Sequence, residues 1–148
     1  MTLLPHRPPF LMIDRVVDMV SGISATGLKE ISAGECCLPP DGPAGSGFPR
    51  VLVLEAMAQT AAVVALHGLG VDRGNAATYF LGIQDVTFES VVPPGKMLRL
   101  AVRLDHNRGP VSKFKAEASV GEECVARASF LAALVDVTEA ASAAQGEQ

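Results

Sequence analysis

Tryptophan is absent from these 148 residues, and one tyrosine beside six phenylalanines leaves the core to aliphatic side chains. Charge is scarce, at 19% of residues, and no basic surplus exists, since 12 Lys and Arg against 16 Asp and Glu give a net −4. Duplex nucleic-acid binders advertise a basic surface, so that class is excluded. Cysteine is limited to Cys36, Cys37 and Cys124, with neither a CxxC pair nor metal-ligand spacing. Adjacent Cys36 and Cys37 would point to opposite faces of a strand and do not bridge each other. Reduced thiols in a cytoplasmic protein are the expectation, and no metal or other cofactor is implied. The opening MTLLPHRPPF lacks the charged-then-apolar pattern of a secretion signal. Only Val51 to Leu69 approaches membrane-span length, and Glu55, Gln59 and His67 interrupt it. It reads as a buried helix, with no membrane partner.

What is present is a globular composition, 49% hydrophobic, long enough for one domain over residues 1–137. Residues 138–148 read as a disordered tail. Phe10 to Asp18 and Gly22 to Ser32 are strand-like, with a turn at Ser21-Gly22. Four prolines and three glycines between Pro39 and Pro49 make a loop. Val51 to His67 is built from helix formers and ends at Gly68 and Gly70. Strand patterns resume over Ala77 to Ser90, Met97 to Asp105, Val111 to Val120 and Cys124 to Val137. The third alternates Leu98, Leu100, Val102 and Leu104 against Arg99, Ala101, Arg103 and Asp105. A helix that is greasy on nearly all faces needs an enclosing partner. The economical solution is α+β, an antiparallel sheet curled around it.

Charge is unevenly spread. Lys96 to Arg127 carries seven basic and four acidic residues, a net +3 against −7 for the remainder. Such a stretch suits a phosphate-bearing or acidic partner, or is simply the solvated face of strands.

One carboxylate stands inside the greasiest segment: within Val51 to Leu66, Glu55 is the only charged side chain. An unpaired buried carboxylate neutralises, finds a partner or serves a purpose. The surrounding motifs carry a resemblance. LLPHRPPFLMIDRV, FPRVLVLEAMAQ, YFLGIQDVTFESVVPPG and RGPVSKFKAEA, in that order from about Leu3 to Leu134, resemble the (3R)-hydroxyacyl-[acyl-carrier-protein] dehydratases of fatty acid synthesis (FabZ-like). The resemblance implies the hot-dog fold and a homodimer, assembled in some cases to a trimer of dimers. It also implies acyl-thioester substrates, carried by acyl carrier protein or coenzyme A, in tunnels at the subunit interface. In that family a loop histidine and the helical glutamate, from opposite subunits, are the catalytic pair. A glycine at the helix start offers its N–H to the thioester carbonyl.

Aligned on Glu55, the histidine position falls on Asp41 and the glycine on Arg50, whereas Pro43, Phe48, Pro49, Val51, Leu52 and Gln59 fit. The chemistry changes accordingly. An imidazole near pKa ~6.5 suits abstraction of an α-proton, and an ordinary aspartate near ~3.9 is a far weaker base. Glu55 and Asp41 are the catalytic candidates, and Arg50, Val51, Gln59 and Phe48 the substrate-binding ones. Each has a structural reading beside it. Glu55 could be a buried carboxylate paired with Arg50 or Asp41; Asp41 a turn former in Pro-Asp-Gly; Arg50 a salt-bridge partner. Gln59, one turn after Glu55, orients Glu55 or caps backbone. His6 in the lead-in motif reads as structural, His67 as a helix C-terminal cation and His106 as solvated. Three functions compete: dehydratase, a thioesterase using Glu55, or a non-catalytic acyl or carrier-protein binding homologue.

Overall fold

The computed structural model describes residues 4–35, 47–68 and 76–137. Within them the order is β1 (Arg15–Val20), β2 (Ser24–Glu30), α1 (Arg50–Gly68), β3 (Ala76–Phe88), β4 (Met97–Arg108), β5 (Val111–Val120) and β6 (Glu123–Asp136). The strands form one sheet in the order β1-β2-β4-β5-β6-β3, every neighbouring pair antiparallel. The expected helix wrapped by a curled antiparallel sheet is therefore what forms. Asp41, Cys36, Cys37 and the tail expected over 138–148 lie outside the described residues.

Period-two patterning explains the inner face. Leu98, Leu100 and Val102 of β4 and Phe114, Ala116 and Ala118 of β5 point inward and are buried, while Arg99, Arg103, Lys115 and Glu117 point out. Phe130 of β6 completes this lining and takes an edge-to-face contact from Phe80. α1 touches all six strands, and its residues from Ala56 to Ala65 are buried without interruption. This is why a helix apolar enough to cross a membrane has no polar face: the sheet surrounds it.

Small side chains let the layers close. Ala56, Ala61 and Ala62 face the sheet from the helix, and Gly27 of β2 answers them. A Cβ added at Gly27 would lie 2.3 Å from the Thr60 hydroxyl oxygen and 3.3 Å from Leu100. The Thr60 hydroxyl already donates to the Ala56 carbonyl at 2.9 Å, so it is not free to swing away. Gly27→Ala is therefore expected to cost about 1–3 kcal/mol of stability, by overpacking. The midpoint of denaturant unfolding measures this, and an unchanged midpoint would show that the helix has room to shift.

The largest boundary difference from expectation is at the start of β1. Phe10 to Asp18 reads as strand, yet the ladder begins at Arg15. The Phe10 and Leu11 amides donate to the Arg7 carbonyl at 2.8 and 3.2 Å, closing a turn. The Phe10 carbonyl and Met12 amide are satisfied by the Gln59 side chain instead of a strand. The first sheet-type bond comes from the Asp14 amide to the Leu28 carbonyl, at 2.8 Å. Leu4 and Ile13 are buried at either end, so this lead-in segment is pinned across the start of the helix.

Candidate active site

The helix begins where Pro49 ends an extended approach. Phe48 bridges to Val92, and the Pro49 carbonyl accepts the Leu52 and Val53 amides at 2.9 and 3.2 Å. Phe48 is buried, its ring 5.8 Å beneath the Lys29 ammonium, so it anchors the helix start from within the core. Lys29 is buried too and pairs with Glu35 at 2.7 Å. No acidic residue occupies the first helical turn, so no side chain of that turn offsets the positive end of the helix dipole.

One turn into the helix stands Glu55. Its side chain is 44% exposed, although the helix immediately beyond it, from Ala56 to Ala65, is buried. Gln59, 1% exposed, lies directly below it on the same face. The Gln59 amide nitrogen donates to Glu55 Oε1 at 2.7 Å and to the Phe10 carbonyl at 2.8 Å, while its oxygen accepts the Met12 amide at 2.9 Å. Gln59 thus spends every strong bond on tying helix, carboxylate and lead-in segment together. A neutral amide orients the carboxylate; among the described residues no cation meets it at hydrogen-bond distance.

Arg50 does not take that part. Its guanidinium lies 5.6 Å over the Phe88 ring, and among the described residues no ion pair joins it to Glu55. The side chain standing where the family keeps a glycine is therefore turned toward the end of β3. Val51 beside it is 68% exposed, an apolar side chain left open at the same end of the molecule.

The unexpected neighbour is His6. Its Nε2 stands 3.9 Å from Glu55 Oε1, and its side chain is 36% exposed. Nδ1 is shielded and finds no partner among the described residues. The other two imidazoles are elsewhere. His67 Nδ1 is 3.0 Å from the Ser21 hydroxyl at the far end of the helix, and His106 is 3.2 Å from Asp105 on β4. Asp105 itself is held below the ordinary carboxylate range, first by the Lys115 ammonium and also by His106. Cys124 is half-buried; burial and then the Glu117 carboxylate raise its thiol pKa.

A family model described as a FabA-like domain matches residues 4–129. The 3-hydroxyacyl-[acyl-carrier-protein] dehydratase FabZ of Acidiphilium cryptum is 41% identical over 92% of this chain and 82% of its own length. The chain belongs to the FabZ dehydratase family. The FabZ of Rhodospirillum rubrum is 42% identical over 90% of this chain and 84% of its own. In fold, this FabZ-family chain resembles the dehydratase heterocomplex ApeI:P from Xenorhabdus doucetiae, with a TM-score of 0.74 at 19% identity over 95% of this chain and 93% of that one. Like its neighbours it is a hot-dog fold.

Proposed function

We propose that the protein dehydrates 3-hydroxyacyl thioesters to 2-enoyl thioesters in fatty acid or related lipid synthesis, with Glu55 as the group that handles the proton of the leaving hydroxyl. The substrate is carried on a phosphopantetheine arm of acyl carrier protein or coenzyme A, and the cytoplasm is the setting. One observation carries the reading: the only carboxylate of the enclosed helix is kept half-exposed and aimed by Gln59 at 2.7 Å, and among the described residues no Lys or Arg pairs with it. A carboxylate kept for structure alone would be paired or buried; one kept for proton transfer must be oriented and reachable. Resemblance to FabZ dehydratases supports the substrate class. Asp41 is the second carboxylate of the reading, and Arg50 and Val51 border the approach at the helix start.

The test offers the purified protein a 3-hydroxyacyl thioester and a saturated acyl thioester, following enoyl formation and thiol release separately. Enoyl product from the first substrate without thiol release is the expected result. Thiol release from both would identify a thioesterase instead, and silence in both with ligand binding would leave a non-catalytic acyl-binding protein.

We also propose that the working unit is a homodimer. β3 is an edge strand thirteen residues long whose second edge has no partner among the described residues. It carries Tyr79, Leu81 and Ile83 exposed, and no Lys, Arg or Pro that would block pairing. A second copy pairing β3 to β3 would extend the sheet and cover these side chains. The double variant Leu81→Glu with Ile83→Glu is expected to shift the protein from dimer to monomer in light scattering. A wild type that is monomeric at micromolar concentration would refute the dimer.

A further inference from the structure

Loss of water from a 3-hydroxyacyl thioester moves two protons. One leaves C2, and one is delivered to the oxygen departing from C3. A single carboxylate cannot accept the first and supply the second in the same instant. Among the described residues near Glu55, the groups able to carry the other proton reduce to one. Gln59 is an amide that already donates to Glu55 and to the Phe10 carbonyl. Arg50 lies over Phe88. His67 is twelve residues further along the helix, about 18 Å at ~1.5 Å per residue. His106 belongs to the exposed end of β4.

Building on the dehydratase reading above, we propose that His6 is the second acid–base group of this site, its Nε2 working with Glu55 of the same chain. The two side chains are both partly exposed, and Nε2 and Oε1 are 3.9 Å apart. That separation is too long for a direct hydrogen bond and right for a shared third atom. An oxygen about 2.8 Å from each would see the two at roughly a right angle, which a hydroxyl can bridge. Because Nδ1 is shielded, Nε2 is the ring atom a ligand meets. No bond at Nδ1 among the described residues pins one tautomer, so Nε2 can present a lone pair or a proton. The backbone at His6 is held in place: the Arg7 guanidinium donates to the His6 carbonyl at 2.7 Å and to the Leu4 carbonyl at 2.8 Å, and Leu4 is buried.

The step balances without any further reagent. The Nε2 lone pair takes the C2 proton, and the C2–H electron pair becomes the second C2–C3 bond. The C3–O bond breaks with its electron pair, and the proton held on Glu55 passes to that oxygen, which leaves as water. His6 then carries one proton and Glu55 one negative charge. Transfer of that proton from Nε2 to Oε1 through a bridging oxygen restores both.

The experiment compares the full chain with His6→Asn and His6→Gln, alongside Glu55→Gln, on a 3-hydroxyacyl thioester, with His106→Asn as a control imidazole. Both His6 variants are expected to melt like the wild type, to keep KM and to lose about 10²–10⁴-fold in kcat, whereas His106→Asn keeps wild-type turnover. Two His6 variants are used so that a folding failure in one leaves the other to decide. A folded His6 variant with wild-type kcat, beside a Glu55→Gln variant that is inactive, overturns this inference and leaves the dehydratase reading standing. A wild type that forms no enoyl product overturns the dehydratase reading and this inference with it.

Discussion

Glu55→Gln is expected to lower enoyl formation by about 10²–10⁴-fold, the cost of removing one acid–base group from its place. The variant is well suited to the purpose because it changes protonation chemistry and little else. Glutamine has the same length, and its amide oxygen can still accept from the Gln59 nitrogen that now donates to Oε1 at 2.7 Å. The carboxylate is 44% exposed, so no buried charge is left without its partner when it is neutralised. Stability should therefore stay close to wild type while kcat collapses, and the two are measured on one preparation by thermal melting and by absorbance of the enoyl product. A folded Glu55→Gln protein with undiminished turnover would remove the carboxylate from the chemistry. A protein that loses stability and turnover together would assign Glu55 to the scaffold.

The fold was legible because its strongest constraints are periodic and local. β4 and β5 alternate strictly, and α1 is apolar all round because a sheet encloses it, so composition alone announces the enclosure. The beginning of β1 was not legible, since Phe10 and Met12 carry strand-like side chains but bond to a glutamine forty-seven or more positions away. Glu55 and Gln59 could be found from their spacing, one helical turn apart. His6 could not, because nothing local distinguishes an imidazole that packs from one that a turn at Arg7 to Phe10 folds back over a distant carboxylate. The placement of Arg50 over Phe88 was not legible for a related reason: that ring comes near the helix start only once β3 has folded beside it. Long-range placement, not residue type, is what separates the readable part of this site from the rest.

The same reasoning makes Gln59→Leu the substitution with the largest combined effect on stability and activity. Leucine matches the volume and suits the core, so packing is nearly conserved; what vanishes is the amide. The Met12 N–H, the Phe10 carbonyl and Glu55 Oε1 each lose a partner at 2.7–2.9 Å. A buried group left unsatisfied costs about 1–3 kcal/mol, and partial access of water to the lead-in segment reduces the sum to roughly 2–4 kcal/mol. Denaturant unfolding reads that loss directly. Turnover should fall as well, for a separate reason: without the Gln59 amide, Glu55 loses the bond at 2.7 Å that aims its carboxylate. A double-mutant cycle distinguishes the two effects. In a Glu55→Gln background, Gln59→Leu should still cost stability but change the residual rate little, because the carboxylate it positions is already gone. A full loss of rate in both backgrounds would mean that Gln59 touches the reaction by a route other than Glu55, and an unchanged unfolding midpoint would mean that the lead-in segment is held by Leu4 and Ile13 alone.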